Sequence, residues 1–283
     1  MSANFDPSLP PLDRLLDDVT TLVSRAAGAI AAIDRSAAAE RTKPDLSPLT
    51  AADEAAQAVI LRELPRLLPG IPIVSEETEA KPIVASERPF ILVDPLDGTK
   101  EFLAGRDEFT VNVALVVRGL PVVGWIAAPA LGLIWRGAAG RGAERLELPA
   151  GADVGACRRK SAIRTRPLPD TDIVVAVSRS HFDARTEAFL GGLKRTKRIV
   201  CGSSLKFCRV AEGAIDLYPR LAPVHEWDIA AGHAIVAAAG GKISKPTGEA
   251  LDYGRSEDGF RIAGFIAYGD PAAAERLGRP PMN

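Results

Sequence analysis

Cysteine is scarce in this 283-residue chain: Cys157, Cys201 and Cys208 are the only three, and none stands in C-x-x-C spacing. An odd number without that spacing excludes a disulfide framework and a cysteine-built zinc site, and fits reduced, buried thiols. Excess charge of either sign is also missing, with 35 Lys and Arg against 36 Asp and Glu. A broad electrostatic footprint for nucleic acid is therefore not expected. No long apolar run is present; the longest, Ala26 to Ile33, lies between Arg25 and Asp34 and is far short of a membrane span. The first residues are acidic and proline-rich rather than basic and then apolar, so no secretory signal is expected and a cytoplasmic location is. Aromatics make up 5%. Trp125 and Trp135 stand in strand-like runs, as core residues rather than base-stacking platforms. Several motifs are absent as well. There is no G-x-S-x-G elbow and no Walker A loop, and Gly137 to Gly142 lacks Rossmann glycine spacing. Ser178 and His181 stand too close together for a hydrolase triad.

A chain of this length buries about three quarters of its unfolded surface, enough for one large or two fused domains. Helical spacing runs from Leu12 to Ile33, and Thr50 opens a second helix to Leu68 as its N-cap. Strands then dominate: Ile71 to Ser75, Phe90 to Asp94, Phe109 to Val117, Pro121 to Ala128 and Gly132 to Arg136, with Gly119 and Gly137 marking turns. Gly137 to Arg166 shows no strong periodic element and is read as the passage between halves. Beyond it, strand and helix alternate from Ile173 to Ala239. The expectation is an α+β protein: residues 1–155 as a half with a mostly antiparallel sheet, and residues 156–283 as a smaller α/β half.

What stands out against this background is Asp94-Pro95-Leu96-Asp97-Gly98-Thr99, directly after the buried-strand run Pro89 to Val93. Pro95 fixes φ and Gly98 frees it, so the turn can aim both carboxylates at one point. Two anions so placed ask for a cation between them, although Asp, Pro and Gly also build ordinary acidic surface turns. Ile71 to Val74 ends in Ser75-Glu76-Glu77, and Asp228 falls in the first turn of a helix. Three elements thus end in carboxylates, and an all-oxygen set suits Mg²⁺ or Mn²⁺ rather than zinc or copper.

These residues resemble the lithium-sensitive, Mg²⁺-dependent phosphatases of the inositol monophosphatase superfamily, and within it the branch of 3′(2′),5′-bisphosphate nucleotidases of the CysQ type. The matching segments are Ser47 to Asp53, Val74 to Glu77, Leu92 to Phe102, Gly202 to Cys208, Ala211 to Gly213, Leu217 to Arg220 and Trp227 to His233. They run in family order over most of the chain. Lys100-Glu101-Phe102 after Thr99 resembles the nucleotidase branch.

The resemblance implies a layered αβαβα sandwich and a site with two or three Mg²⁺, for which Mn²⁺ can substitute. Glu76, Asp94, Asp97 and Asp228 become metal ligands, with the Leu96 carbonyl added from the family; Glu76 also counts as catalytic. Glu77 would point away from Glu76 if both lay in a strand, and takes a supporting part. Asp53 accepts from the Thr99 hydroxyl, which orients a water made acidic by the cation. Thr50 and Asp53 also have the spacing of a helix cap, and both roles can coexist. Substrate contacts fall on Gly98, Thr99, Ser178, His181, Ser203, Ser204, Lys206, Arg220 and Asp228. For Lys206 the competing reading is a solvated helix face, and for His181 a local hydrogen bond. His225 has no assigned role.

The implied reaction removes the 3′-phosphate of adenosine 3′,5′-bisphosphate to give AMP and phosphate, with activity on the sulfated analogue, as a step in sulfur metabolism. The implied partner is that small nucleotide, with no nucleic acid and no transmembrane segment. Oligomeric state and peripheral contact with the inner membrane are left open. Two alternatives stand: an inositol or sugar-phosphate monophosphatase on the same metals, and a regulatory binding protein.

Overall fold

Leu15, Leu16, Val19, Leu22, Val23, Ala26 and Ile30 recur at helical spacing, and in the computed structural model they form the buried side of α1 (Leu12–Ala31). The structure describes residues 9–35, 41–42, 48–179, 183–278 and 280. A short ladder of β1 (Arg41–Thr42) with β2 (Pro48–Leu49) leads to α2 (Ala51–Leu67). Thr50 caps that helix as expected. Its hydroxyl accepts from the Ala52 N–H at 3.1 Å, while Asp53 Oδ2 accepts from the Thr50 N–H at 2.7 Å, a reciprocal capping box.

Seven strands follow: β3 (Ile73–Ser75), β4 (Phe90–Asp97), β5 (Thr110–Val117), β6 (Leu120–Ala128), β7 (Leu133–Ala138), β8 (Gly142–Glu147) and β9 (Arg159–Ile163), with the short helix α3 (Thr99–Leu103) after β4. They pair in sequence order, β3 with β4 parallel and the rest antiparallel. Their apolar runs are continuous because both faces are covered. In β4, Ile91 and Val93 join the core under α1 and α2, whereas Phe90 and Leu92 join the core on the opposite face.

Two expectations are corrected here. The stretch Gly137 to Arg166, read as a passage without a strong periodic element, supplies β8 and β9. β9 is an edge strand, largely exposed and without the apolar alternation that marks a half-buried strand. Gly119 does lie in a turn, but Gly137 is inside β7, paired with Gly124 of β6.

The second part of the chain forms β10 (Ile173–Ser178), α4 (Ala184–Gly191), β11 (Thr196–Cys201), α5 (Leu205–Ala211), β12 (Leu217–Arg220), β13 (Val224–His225), α6 (Glu226–Ala238), β14 (Lys242–Ser244), β15 (Arg261–Ile262), β16 (Phe265–Tyr268) and α7 (Ala273–Arg276). Five of these strands make a mixed sheet in the order β11-β10-β12-β16-β14, and β13 pairs with β15 apart from it. One core joins Leu92, Ile126 and Trp135 of the first sheet to Ala176, Tyr218 and Phe265 of the second, through Phe207 of α5 and Ile229 and Ile235 of α6. Phe189, Leu190 and Ala273 cover the far face of the second sheet. The layers are thus α1 and α2, sheet, α5 and α6, sheet, α4 and α7: the expected αβαβα sandwich of α+β class.

Candidate active site

The two acidic elements of the first sheet end side by side. β3 and β4 run parallel, and the Glu76 N–H continues their pairing by donating to the Val93 carbonyl at 3.0 Å. β4 then slips against β5, since Asp94 faces Asn112 and Asp97 faces Thr110, leaving one extra residue on β4. Such a bulge suits Pro95, which has no N–H to pair, and re-aims the side chains around it. Asp94 Oδ1 accepts from the Leu96 N–H at 3.0 Å, and Gly98 at φ 96° turns the chain into α3.

Asp228 arrives from α6, in the first turn, with Oδ2 accepting from the His225 N–H at 2.9 Å. Oxygens of Glu76, Asp94 and Asp228 all lie within 4.8 Å of one another. Asp97 lines the same cavity, about 330 Å³ in volume, together with Leu96, Gly98 and Thr99. Its Oδ2 accepts from the hydroxyls of Ser203 and Ser204, each at 2.8 Å. Glu77 lies in a turn beyond the end of β3, so strand alternation does not govern it; its charge nevertheless reaches Asp94.

Burial holds the Asp94 carboxyl well above the usual carboxylate range, and Glu76, Asp97, Asp228 and Glu77 push it further. Asp228 is raised to about 7, by burial first and then by Glu76 and Asp97, with Arg220 opposing. A cluster of this kind is relieved by a hard divalent cation, and its oxygen-only donor set fits one. At neutral pH the cation-free cluster holds protons that binding must expel. Divalent-cation affinity is therefore expected to rise between about pH 6 and pH 8, roughly tenfold per unit for each proton displaced. Titration calorimetry in buffers of different ionisation enthalpy checks this; a pH-independent affinity without proton release would contradict it.

Asp53 stands behind the cavity, fully buried. One oxygen is held by the Thr50 N–H and hydroxyl, each at 2.7 Å, and the other accepts from the Thr99 hydroxyl at 3.3 Å. Helix cap and Thr99 partner therefore coexist in one side chain. Ser178, at the end of β10, and Arg220, at the end of β12, line the cavity. His181 lies outside the described residues, as does Ser47 at the head of the first matching segment.

Lys206 is not on a solvated helix face. It is buried, its ammonium donates to the carbonyls of Cys201 at 3.1 Å and Ser203 at 2.6 Å, and it sits 5.1 Å from the centre of the Tyr218 ring. The Gly202–Ser204 loop is thereby braced from below, with Ser203 held at φ 52° and its hydroxyl 2.6 Å from that of Thr110. Asn112 donates to the Ser204 hydroxyl at 3.0 Å.

The cavity also takes in Lys100, Arg179, His225 and Arg261, which sequence reasoning did not assign. Arg179 could have been flagged, because it follows Ser178 directly. It pairs with Glu108 at 2.9 Å and approaches Glu101 at 3.7 Å. Arg261 reaches the site through the β13–β15 ladder, and no motif surrounds it.

The inositol monophosphatase family model matches residues 15–267. The chain is 41% identical over 227 residues to the 3′(2′),5′-bisphosphate nucleotidase CysQ of Escherichia coli (strain K12), covering 78% of this chain and 87% of that protein. To the protein of the same name in Salmonella typhimurium it is 43% identical over 225 residues, with the same coverage. The crystal structure of CysQ from Bacteroides thetaiotaomicron, a bacterial member of the inositol monophosphatase family, superposes with a TM-score of 0.74 at 32% identity, over 90% of this chain and 97% of that one. Sequence, fold and the clustered carboxylates agree: the chain belongs to the inositol monophosphatase family.

Proposed function

We propose that this chain is a Mg²⁺-dependent 3′(2′),5′-bisphosphate nucleotidase that converts adenosine 3′,5′-bisphosphate to AMP and phosphate. The observation that carries the reading is the convergence of Glu76, Asp94 and Asp228 within 4.8 Å, beside the Thr99–Asp53 pair and in one cavity. The nucleotidase assignment follows the relatives that share about two fifths of its residues.

Glu76, Asp94, Asp97, Asp228 and the Leu96 carbonyl would hold the cations. When bound, such cations neutralise the charge of a phosphoryl group and acidify water. The protein's own part is orientation and proton handling. The Thr99 hydroxyl shares its one proton between Asp53 Oδ1 at 3.3 Å and the Leu96 carbonyl at 3.2 Å, which leaves its oxygen lone pairs to accept from an attacking water. Asp53 Oδ1 bears the proton demand, held in place by Thr50 on the other oxygen. Ser203 and Ser204 fix Asp97 through one oxygen and leave the second for a cation. Gly98, Ser178 and Arg220 remain as substrate contacts in this reading, and Lys206 supports them by bracing the loop.

Free thiols at Cys157, Cys201 and Cys208 are what a reducing cytoplasm would leave. Among the described residues, no helix is long and apolar enough to cross a membrane.

Thr99→Val is expected to lower kcat by about 10²- to 10³-fold, with Thr99→Ser retaining most of the activity. Steady-state kinetics on both variants checks the role, and full activity in the valine variant would remove Thr99 from it. The reading as a whole is tested by phosphate release from adenosine 3′,5′-bisphosphate, AMP and inositol 1-phosphate, side by side. Preference for inositol 1-phosphate would keep the cation site and replace the nucleotidase assignment.

A further inference from the structure

We infer that Arg261 reads the second phosphate of the substrate and so sets the preference for a bisphosphate over a monophosphate; the inference rests on the nucleotidase reading above. Five cationic side chains line the cavity: Lys100, Arg179, Lys206, Arg220 and Arg261. Two are held by contacts of their own. Lys206 gives its protons to two backbone carbonyls of the loop it braces. Arg179 is held by Glu108 and Glu101. Arg220 has a buried Nε without a hydrogen-bond partner, but its charge acts at the reacting end, where it stabilises the Asp228 carboxylate. Lys100 follows Thr99 directly and so belongs to the reacting end.

Arg261 differs. Among the described residues its side chain makes no hydrogen bond and no ion pair, and it is exposed on the cavity wall. Its backbone, by contrast, is firmly placed. β15 sets it opposite His225, three residues before Asp228. The buried Glu226 carboxylate accepts from the N–H groups of Gly254 at 2.7 Å and Arg255 at 3.0 Å, and the Glu226 N–H donates to the Phe260 carbonyl at 2.8 Å. The strand carrying Arg261 is thereby tied to the helix start that carries Asp228, which fixes its root relative to the reacting end. A substrate whose first phosphate lies at the carboxylate cluster needs a separate cation for its second. A guanidinium fork, free of partners and rooted on a fixed strand, matches that group.

The test compares adenosine 3′,5′-bisphosphate with 3′-AMP, the same nucleotide lacking the second phosphate, on wild type, Arg261→Ala, Arg261→Lys, Lys100→Ala and Arg220→Ala. Arg261→Ala is expected to raise KM for the bisphosphate about tenfold, as loss of a charge-assisted contact would, with kcat within about twofold. Its kcat/KM for 3′-AMP stays unchanged, and Arg261→Lys recovers part of the loss. Equal losses on both nucleotides in Arg261→Ala, no loss on the bisphosphate, or a bisphosphate-selective loss confined to Lys100→Ala or Arg220→Ala would overturn the assignment. A wild-type enzyme that prefers inositol 1-phosphate and ignores both nucleotides would overturn the nucleotidase reading and this inference with it.

Discussion

Asp94→Asn is expected to lower kcat by at least about 10³-fold, since a cation is worth several kcal/mol to the transition state, and yet to leave the cation-free protein more stable than wild type. The first effect follows from position: Asp94 is 1% exposed, with an oxygen within 4.8 Å of those of Glu76 and Asp228. The second follows from charge. Its carboxyl is raised by burial and by its acidic neighbours, so ionising it costs more in the folded than in the unfolded chain. A raised folded pKa gives stability that is fully present below the unfolded value and is lost as pH rises through the folded one. In chelator near pH 8 the wild type therefore carries a penalty that asparagine, always neutral, does not. Asn keeps the oxygen that accepts from the Leu96 N–H, so the turn survives. Thermal melts with chelator and with Mg²⁺ check both effects. Wild type should gain Tm with Mg²⁺, while the variant starts higher in chelator and gains nothing. Near-normal turnover in Asp94→Asn would contradict its placement at the cation site.

The second large effect is structural. Gly124 and Gly137 pair across β6 and β7 and form the bare floor on which α6 rests. A Cβ on Gly124 would run into the backbone carbonyl of Ala231, and one on Gly137 would come within 2.8 Å of the Ile235 Cα. Neither obstacle is the end of a flexible side chain, so the helix itself must move. Gly124→Ala is expected to cost about 3 kcal/mol or more, the upper range for overpacking, and to lower Tm by roughly 6–12 °C. Because α6 carries Asp228, Mg²⁺ affinity should weaken along with it. Gly155→Ala is the control, with open space around its Cβ and an ordinary φ. Equal melting temperatures for the two variants would contradict the close approach of α6 to the sheet.

Which features could be read ahead of the structure follows from how local their causes are. The α1 stripe, the Thr50 cap and the two-sided apolar runs of β4 and β5 are local, and each appears where its residues indicated. The acidic turn was readable because its neighbours in space, Asp94 and Asp97, are also neighbours in sequence. β9 was hidden because an edge strand needs no apolar face, and Gly137 was misread because its helix partner lies far along the chain. Lys206 shows the same limit: nothing near it announces a buried ammonium, since Tyr218 and the loop carbonyls are assembled by the fold. Asp53 was ambiguous for a different reason, because capping and holding Thr99 use different oxygens of one carboxylate.

The most direct measurement is to identify the products from adenosine 3′,5′-bisphosphate by ³¹P NMR, once with Mg²⁺ and once with chelator. The expected result is AMP and inorganic phosphate in equal amounts with Mg²⁺, and unchanged substrate with chelator. Formation of 3′-AMP, or release that continues in chelator, would contradict a cation site built on Glu76, Asp94 and Asp228 that acts on the 3′-phosphate.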